Sequence, residues 1–158
     1  MPSTQRVTIL LGCSGSGKST WAEKARDGCS WPLVAVLSAD AFFINKDTGV
    51  YQFEPAKLAS AHASCLRNYV GTLQSGCDHI IVDNTNTSLV ELAPYVALAQ
   101  AYGASLRLLA FVPSDTTAAH ARCVHGVPLS TVLRQDAQLG EMLAKFPPWW
   151  PQPEIVVR

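Results

Sequence analysis

The run Gly12-Cys13-Ser14-Gly15-Ser16-Gly17-Lys18-Ser19-Thr20 sets two conditions on any fold this chain adopts. Its glycines let the backbone curl so that successive N–H groups point inward at an anion, and a helix must begin at its end to add a positive pole. The run matches G-x-x-x-x-G-K-[ST] at every fixed position. Arg6–Leu11 before it reads as a buried strand, and Lys18 to about Arg26 as a helix closed by Asp27-Gly28. Strand, loop and helix in this order point to a cradle for the phosphates of ATP. Lys18 is expected to reach the β and γ phosphates, and the Ser19 hydroxyl to hold Mg²⁺.

The rest of the chain alternates short β-rich runs with longer helical ones. Leu33–Leu37, Ile80–Val82, Leu106–Phe111 and Ile155–Val157 read as strands. Helices are expected from Pro55 to Leu73, Leu89 to Tyr102, Thr116 to Cys123 and Ser130 to Lys145, with Phe42–Pro55 irregular. On the Pro55–Leu73 helix, Leu58, His62, Cys65, Leu66 and Tyr69 share one face. This pattern specifies an α/β fold: a parallel sheet flanked by helices, with a small helical lid around His125-Gly126-Val127-Pro128. One domain over residues 1–158 is expected, with ligands beyond the carboxyl ends of the strands.

Charge narrows the partners. Twelve basic residues balance twelve acidic ones, so a nucleic-acid partner needs a local positive cluster rather than a basic protein. The five residues from Val7 to Leu11 are too short for a signal or a membrane span. Five scattered cysteines without a Cys-x-x-Cys pair argue against a disulfide framework or a structural zinc site. Reduced thiols and a cytoplasmic address are the expectation, and no obligate protein partner is evident.

Three further segments carry chemistry. Asp40, just past the second strand, can accept the proton of an attacking hydroxyl, or it can cap a turn. Asp83 ends the third strand where a carboxylate would help position Mg²⁺. Asn84 and Asn86 offer hydrogen bonds to substrate, or build the turn themselves. Arg122 precedes the lid and can spread charge over a moving phosphoryl group, whereas Arg134 reads as a surface residue. His62 reads as a core or cleft histidine, His125 as a lid residue or without a role, and Trp149-Trp150 as packing of the tail.

Taken together, these residues resemble the polynucleotide-kinase-like branch of the P-loop kinases. The resemblance runs from about Arg6 to Leu139. It implies that Asp40 is the general base, that Asp83-Asn84-Thr85-Asn86 borders the substrate, and that Arg122 with Val127-Pro128 forms the lid. Tyr51-x-Phe53-x-Pro55 and Ala61-His62 resemble a broader set of ATP-binding proteins in the same branch. One departure is Phe43, which stands where end kinases carry a phosphate-gripping arginine. Phe42 and Phe43 are left to stack on a base or to pack in the core. The expected activity is transfer of the γ-phosphoryl group of ATP, with Mg²⁺, to a hydroxyl of DNA or RNA. That hydroxyl would lie at a 5′ end or on a hydroxymethylated base such as 5-hydroxymethyluracil, as in phages that modify their DNA, which would place the protein in the host cytoplasm. The alternatives are a kinase for a nucleoside or sugar, and an ATP-hydrolysing switch.

Overall fold

A computed structural model describes residues 5–158, so residues 1–4 of the expected 1–158 domain lie outside it. Five strands run parallel: β1 (Arg6–Leu11), β2 (Val34–Leu37), β3 (His79–Asp83), β4 (Ser105–Val112) and β5 (Glu154–Val157). Their spatial order is β2-β3-β1-β4-β5. Between them lie α1 (Lys18–Asp27), α2 (Leu58–Gln74), α3 (Leu89–Ala101), α4 (Thr116–Ala121) and α5 (Leu129–Ala144).

Side-chain alternation along β1 sorts the core. Val7, Ile9 and Leu11 join Ile80 and Val82 of β3 in a cluster with α2 and α3, through residues such as Tyr69, Leu92 and Val96. Leu10, Ile81, Leu109 and Phe111 point to the other face, against Ala22 and Trp21 of α1. Strands apolar on both sides belong in a sheet covered on both sides, as the near-unbroken apolar runs require. The central strand β1 pairs Leu10 with Asp83 and Leu11 with Ala110, so the phosphate loop and Asp83 leave the sheet at the same end.

The irregular stretch has more order than its sequence implies. Ala39–Phe43 forms a 3₁₀ turn capped by the Ser38 hydroxyl, which accepts from the Asp40 N–H. An isolated antiparallel bridge joins Ile44 to Tyr51 and folds the segment back on itself. Pro55–Lys57 forms a second 3₁₀ turn that leads into α2. The buried stripe of α2 is Ala61, Cys65, Tyr69 and Leu73, at intervals of four. Leu58, expected on that face, is instead 43% exposed. No helix among the described residues is long and apolar enough to cross a membrane.

Candidate active site

The phosphate loop bends as its glycines dictate. Gly15 has φ of 77°, and a Cβ there would sit 1.9 Å from the Ala119 carbonyl oxygen of α4. At Gly12 a Cβ would meet the Phe111 carbonyl oxygen at 2.9 Å. Both positions exclude side chains through close backbone approach, the feature a phosphate cradle needs. Beneath the loop, the Gly12 N–H donates to the Thr85 carbonyl at 2.8 Å, tying it to the segment after β3.

Lys18 is 7% exposed, and its ammonium donates to the Cys13 carbonyl at 2.8 Å and, more distantly, to the Ser16 hydroxyl at 3.4 Å. Burial lowers its pKa, against the upward pull of the neighbouring Asp83, Cys13 and Asp40. The carboxyl of Asp83 is shifted the opposite way. Burial raises it, while a hydrogen bond from Ser19 and the charge of Lys18 pull it down. A buried cation beside a half-buried carboxylate that holds a serine hydroxyl is a donor set that fits Mg²⁺ and a polyphosphate.

These groups open onto one cavity of about 640 Å³, within the range of small-molecule sites. Ser14, Gly15 and Gly17 to Thr20 line it, together with Asp40, Asp83, Asn84 and Arg122. Gly12, Cys13 and Ser16 lie under its surface and shape the loop from below. Asp40 is exposed, and one of its carboxylate oxygens accepts from the Tyr51 hydroxyl at 3.2 Å. The other lies 4.0 Å from Nε2 of His125, whose ring stacks on Tyr51 with centroids 4.0 Å apart. Burial and the Asp40 carboxylate push the Tyr51 phenol up to about 12, so it stays a donor at neutral pH.

The lid segments grip the loop directly. Arg122 follows α4 and donates from Nε to the Gly15 carbonyl at 3.1 Å. Gln135 of α5 accepts from the Ser14 N–H at 2.9 Å. Gln135 escaped the sequence reading, although Thr131, Gln135 and Gln138 recur on one polar face of α5 and all border the cavity. Arg134, read as a surface residue, is exposed and also borders it.

Three residues expected to touch substrate have other contacts. Phe43 is 5% exposed, does not line the cavity, and packs edge-on against Phe42, Tyr51 and Phe53. The Ile44–Tyr51 bridge brings those rings over it, a pairing that local sequence does not reveal. Asn86 is 2% exposed and donates to the Leu10 carbonyl at 2.9 Å, as a loop support rather than a cavity group. Asn84 borders the cavity, but its side chain is bonded inward. It accepts from the Ala39 N–H at 2.8 Å and lies 3.4 Å from both the Cys65 sulfur and the Tyr95 hydroxyl. Its visible task is to hold the turn that carries Asp40.

Comparison with known proteins agrees with this architecture. A stretch of 95 residues, 60% of the chain, is 37% identical to human NEDD4-binding protein 2, of which it spans 5%. A chain of the Pnkp1/Rnl/Hen1 RNA repair complex superimposes with a TM-score of 0.71 at 23% identity, over 90% of this chain and 46% of that one. A putative kinase from Chloroflexus aurantiacus gives 0.62 at 19% identity, covering 98% and 86%. A gluconokinase from Sinorhizobium meliloti gives 0.59 at 14% identity, covering 99% and 84%. This chain therefore spans under half of the RNA repair chain and a small part of the human protein. The AAA domain family model matches residues 7–148, most of the chain, and with a five-stranded parallel sheet that superimposes on P-loop kinase structures the chain belongs to that family, AAA_33.

Proposed function

We propose that this protein is an ATP-dependent phosphotransferase that moves the γ-phosphoryl group of ATP to a hydroxyl, with a nucleic acid as the acceptor. One observation carries the reading: the exposed Asp40 carboxylate faces the same cavity as the buried Lys18 and the half-buried Asp83. A carboxylate so placed can take the proton of an incoming alcohol, the step a phosphotransferase needs.

In this reading the Gly12–Thr20 loop and the start of α1 bind the phosphates through backbone N–H groups. Ser19 and Asp83 would hold Mg²⁺, which supplies charge neutralisation at the phosphate oxygens. Asp40 accepts the acceptor's proton as its oxygen bonds to the γ phosphorus. The bond from that phosphorus to the bridging oxygen breaks, and ADP leaves. Lys18 and Arg122 offset charge on the moving group, and the bond from Arg122 to Gly15 aims its guanidinium at the loop. The RNA repair complex among the structural neighbours supports a nucleic-acid acceptor, and the gluconokinase keeps a small-molecule acceptor in contention.

The test uses γ-³²P-labelled ATP, Mg²⁺ and three acceptors at equal concentration: a 5′-hydroxyl oligonucleotide, a 5′-phosphorylated duplex carrying 5-hydroxymethyluracil, and gluconate. Label on either nucleic acid is the expected result. Label on gluconate alone would replace the acceptor, and label on none with steady ATP hydrolysis would replace the reaction.

A further inference from the structure

The walls of the cavity are not chemically uniform. On the phosphate-loop side stand Lys18, Arg122 and Arg134. Beside Asp40 stand Tyr51 and His125, and Phe53, Leu58 and His62 border the same cavity. None of these five is lysine or arginine, so apart from the Lys18 ammonium, which also acts on Asp40, positive charge could arise there only on an imidazole. Lys57, the neighbour of Leu58, is turned away to Glu54 at 2.8 Å and does not border the cavity.

Structure holds this apolar wall in place. The Tyr51 hydroxyl is fixed to Asp40, and its ring is covered by His125. Phe53 lies with its ring centroid 5.0 Å from that of the buried Phe43, edge to face, which anchors it while 48% of it remains exposed. Leu58 and His62 sit one turn apart on α2, and Leu58 is 43% exposed. Exposed aromatic and aliphatic groups next to a hydrogen-bonded carboxylate form a surface for a flat, weakly polar ligand. Beyond the imidazoles of His62 and His125 they offer no cation to a phosphate, whose usual partners are arginine, lysine or converging N–H groups.

We infer that the Asp40 side of the cavity is a nucleobase-binding acceptor site that recognises the ring next to the reactive hydroxyl and makes no contact with a phosphate on the acceptor. This rests on the hydroxyl-acceptor reading above and narrows it. The acceptor brings a base, either as a free nucleoside or as one nucleotide of a strand whose phosphates stay outside. Base and aromatic wall then place the hydroxyl at the Asp40 oxygen that Tyr51 does not engage, the one 4.0 Å from Nε2 of His125.

The experiment measures equilibrium binding by titration calorimetry with Mg²⁺ and a non-hydrolysable ATP analogue present. The probes are adenosine, thymidine, their 3′-monophosphates, a single-stranded 5′-hydroxyl oligonucleotide and ribitol. The proteins are wild type, Phe53→Ala and Tyr51→Phe, each first checked for an unchanged circular dichroism spectrum. Nucleosides are expected to bind, ribitol is not, and a 3′-phosphate is expected to change affinity less than threefold. Phe53→Ala is expected to weaken nucleoside binding by roughly 5- to 150-fold, the loss that follows removal of one base-stacking partner, with affinity for the ATP analogue retained. Tyr51→Phe keeps its ring but loses the bond to Asp40, and is expected to weaken nucleoside binding less than Phe53→Ala does. Binding of the oligonucleotide with the same Phe53 dependence identifies a strand as the source of the base, whereas nucleoside binding alone identifies the free compound. A tenfold gain from the 3′-phosphate would overturn the inference. So would binding of ribitol in place of nucleosides, or binding insensitive to Phe53→Ala. Parallel transfer assays separate this inference from the reading it rests on. Base binding without label transfer leaves the site and removes the kinase, whereas label on a phosphorylated sugar with Phe53→Ala unaffected does the reverse.

Discussion

Replacing Gly15 by alanine tests how closely the lid helix lies on the phosphate loop. A non-glycine residue at its φ of 77° costs about 1–2 kcal/mol from backbone strain alone. The new Cβ would lie 1.9 Å from the Ala119 carbonyl oxygen, where ordinary contact begins at 3.4 Å. The backbone of α4 would therefore retreat by about 1.5 Å, the difference between those two distances. Ala119 is fully buried with Cys13 and Val132, so that retreat disturbs a packed cluster, at about 1–3 kcal/mol. The sum is about 2–5 kcal/mol of lost stability. Gly76→Ala is the matched control, with φ of 73° and nothing within 4 Å of the new atom. It should lose about 1–2 kcal/mol from strain alone. Urea unfolding followed by circular dichroism gives both values, and a nucleotide titration should show weakened ATP binding for Gly15→Ala only. Equal stability losses for the two variants would refute the claimed approach of α4 to the loop.

Other perturbations separate the remaining groups. His79 is buried between Thr8 and the charges of Arg6 and Arg107, and burial first, then those arginines, lower its pKa below 6.5. Its neutral form is favoured on folding, so its contribution is complete above pH 6.5 and is lost as the pH falls through the lowered value. The melting temperature of wild type should therefore drop more between pH 7.5 and 5 than that of His79→Gln, and parallel curves would contradict this. Asn84→Ala strips a bond from the buried Ala39 N–H, and should cost about 1–3 kcal/mol in urea unfolding. Because Ala39 precedes Asp40, the same variant should lower kcat more than it raises KM for ATP. Arg122→Lys keeps the charge but loses the Nε bond to Gly15, and kcat should fall about 10²-fold or more while ATP still binds.

The residues that spoke plainly in the sequence are those whose roles are local. The phosphate loop, its flanking strand and helix, and the position of Asp83 at the end of β3 follow from spacing and apolar runs over a few residues. The places of Asp40 and Arg122 at the cavity were legible for the same reason, each lying beside a strand or helix end that faces it. Roles set by distant contacts were hidden. Phe43 becomes core because Tyr51 and Phe53 fold back over it, and Asn84 is claimed by Ala39, 45 residues away. Gln135 reaches the Ser14 N–H across 121 residues. The apolar stripe of α2 follows the steps from Ala61 to Leu73 rather than Leu58, because the 3₁₀ turn at Pro55–Lys57 begins the element and leaves Leu58 at its exposed first turn.

The most direct test of the account is single-turnover transfer from γ-³²P-labelled ATP to a 5′-hydroxyl oligonucleotide by wild type and Asp40→Asn, with ATP affinity measured on both. Asparagine keeps the size of the side chain and can still accept the Tyr51 hydroxyl, but it cannot take up the acceptor's proton. Transfer is expected to fall by about 10²- to 10⁴-fold with ATP affinity unchanged. Transfer by Asp40→Asn at a rate near that of wild type would show that Asp40 is not the base, and the proposed chemistry of the cavity would fall with it.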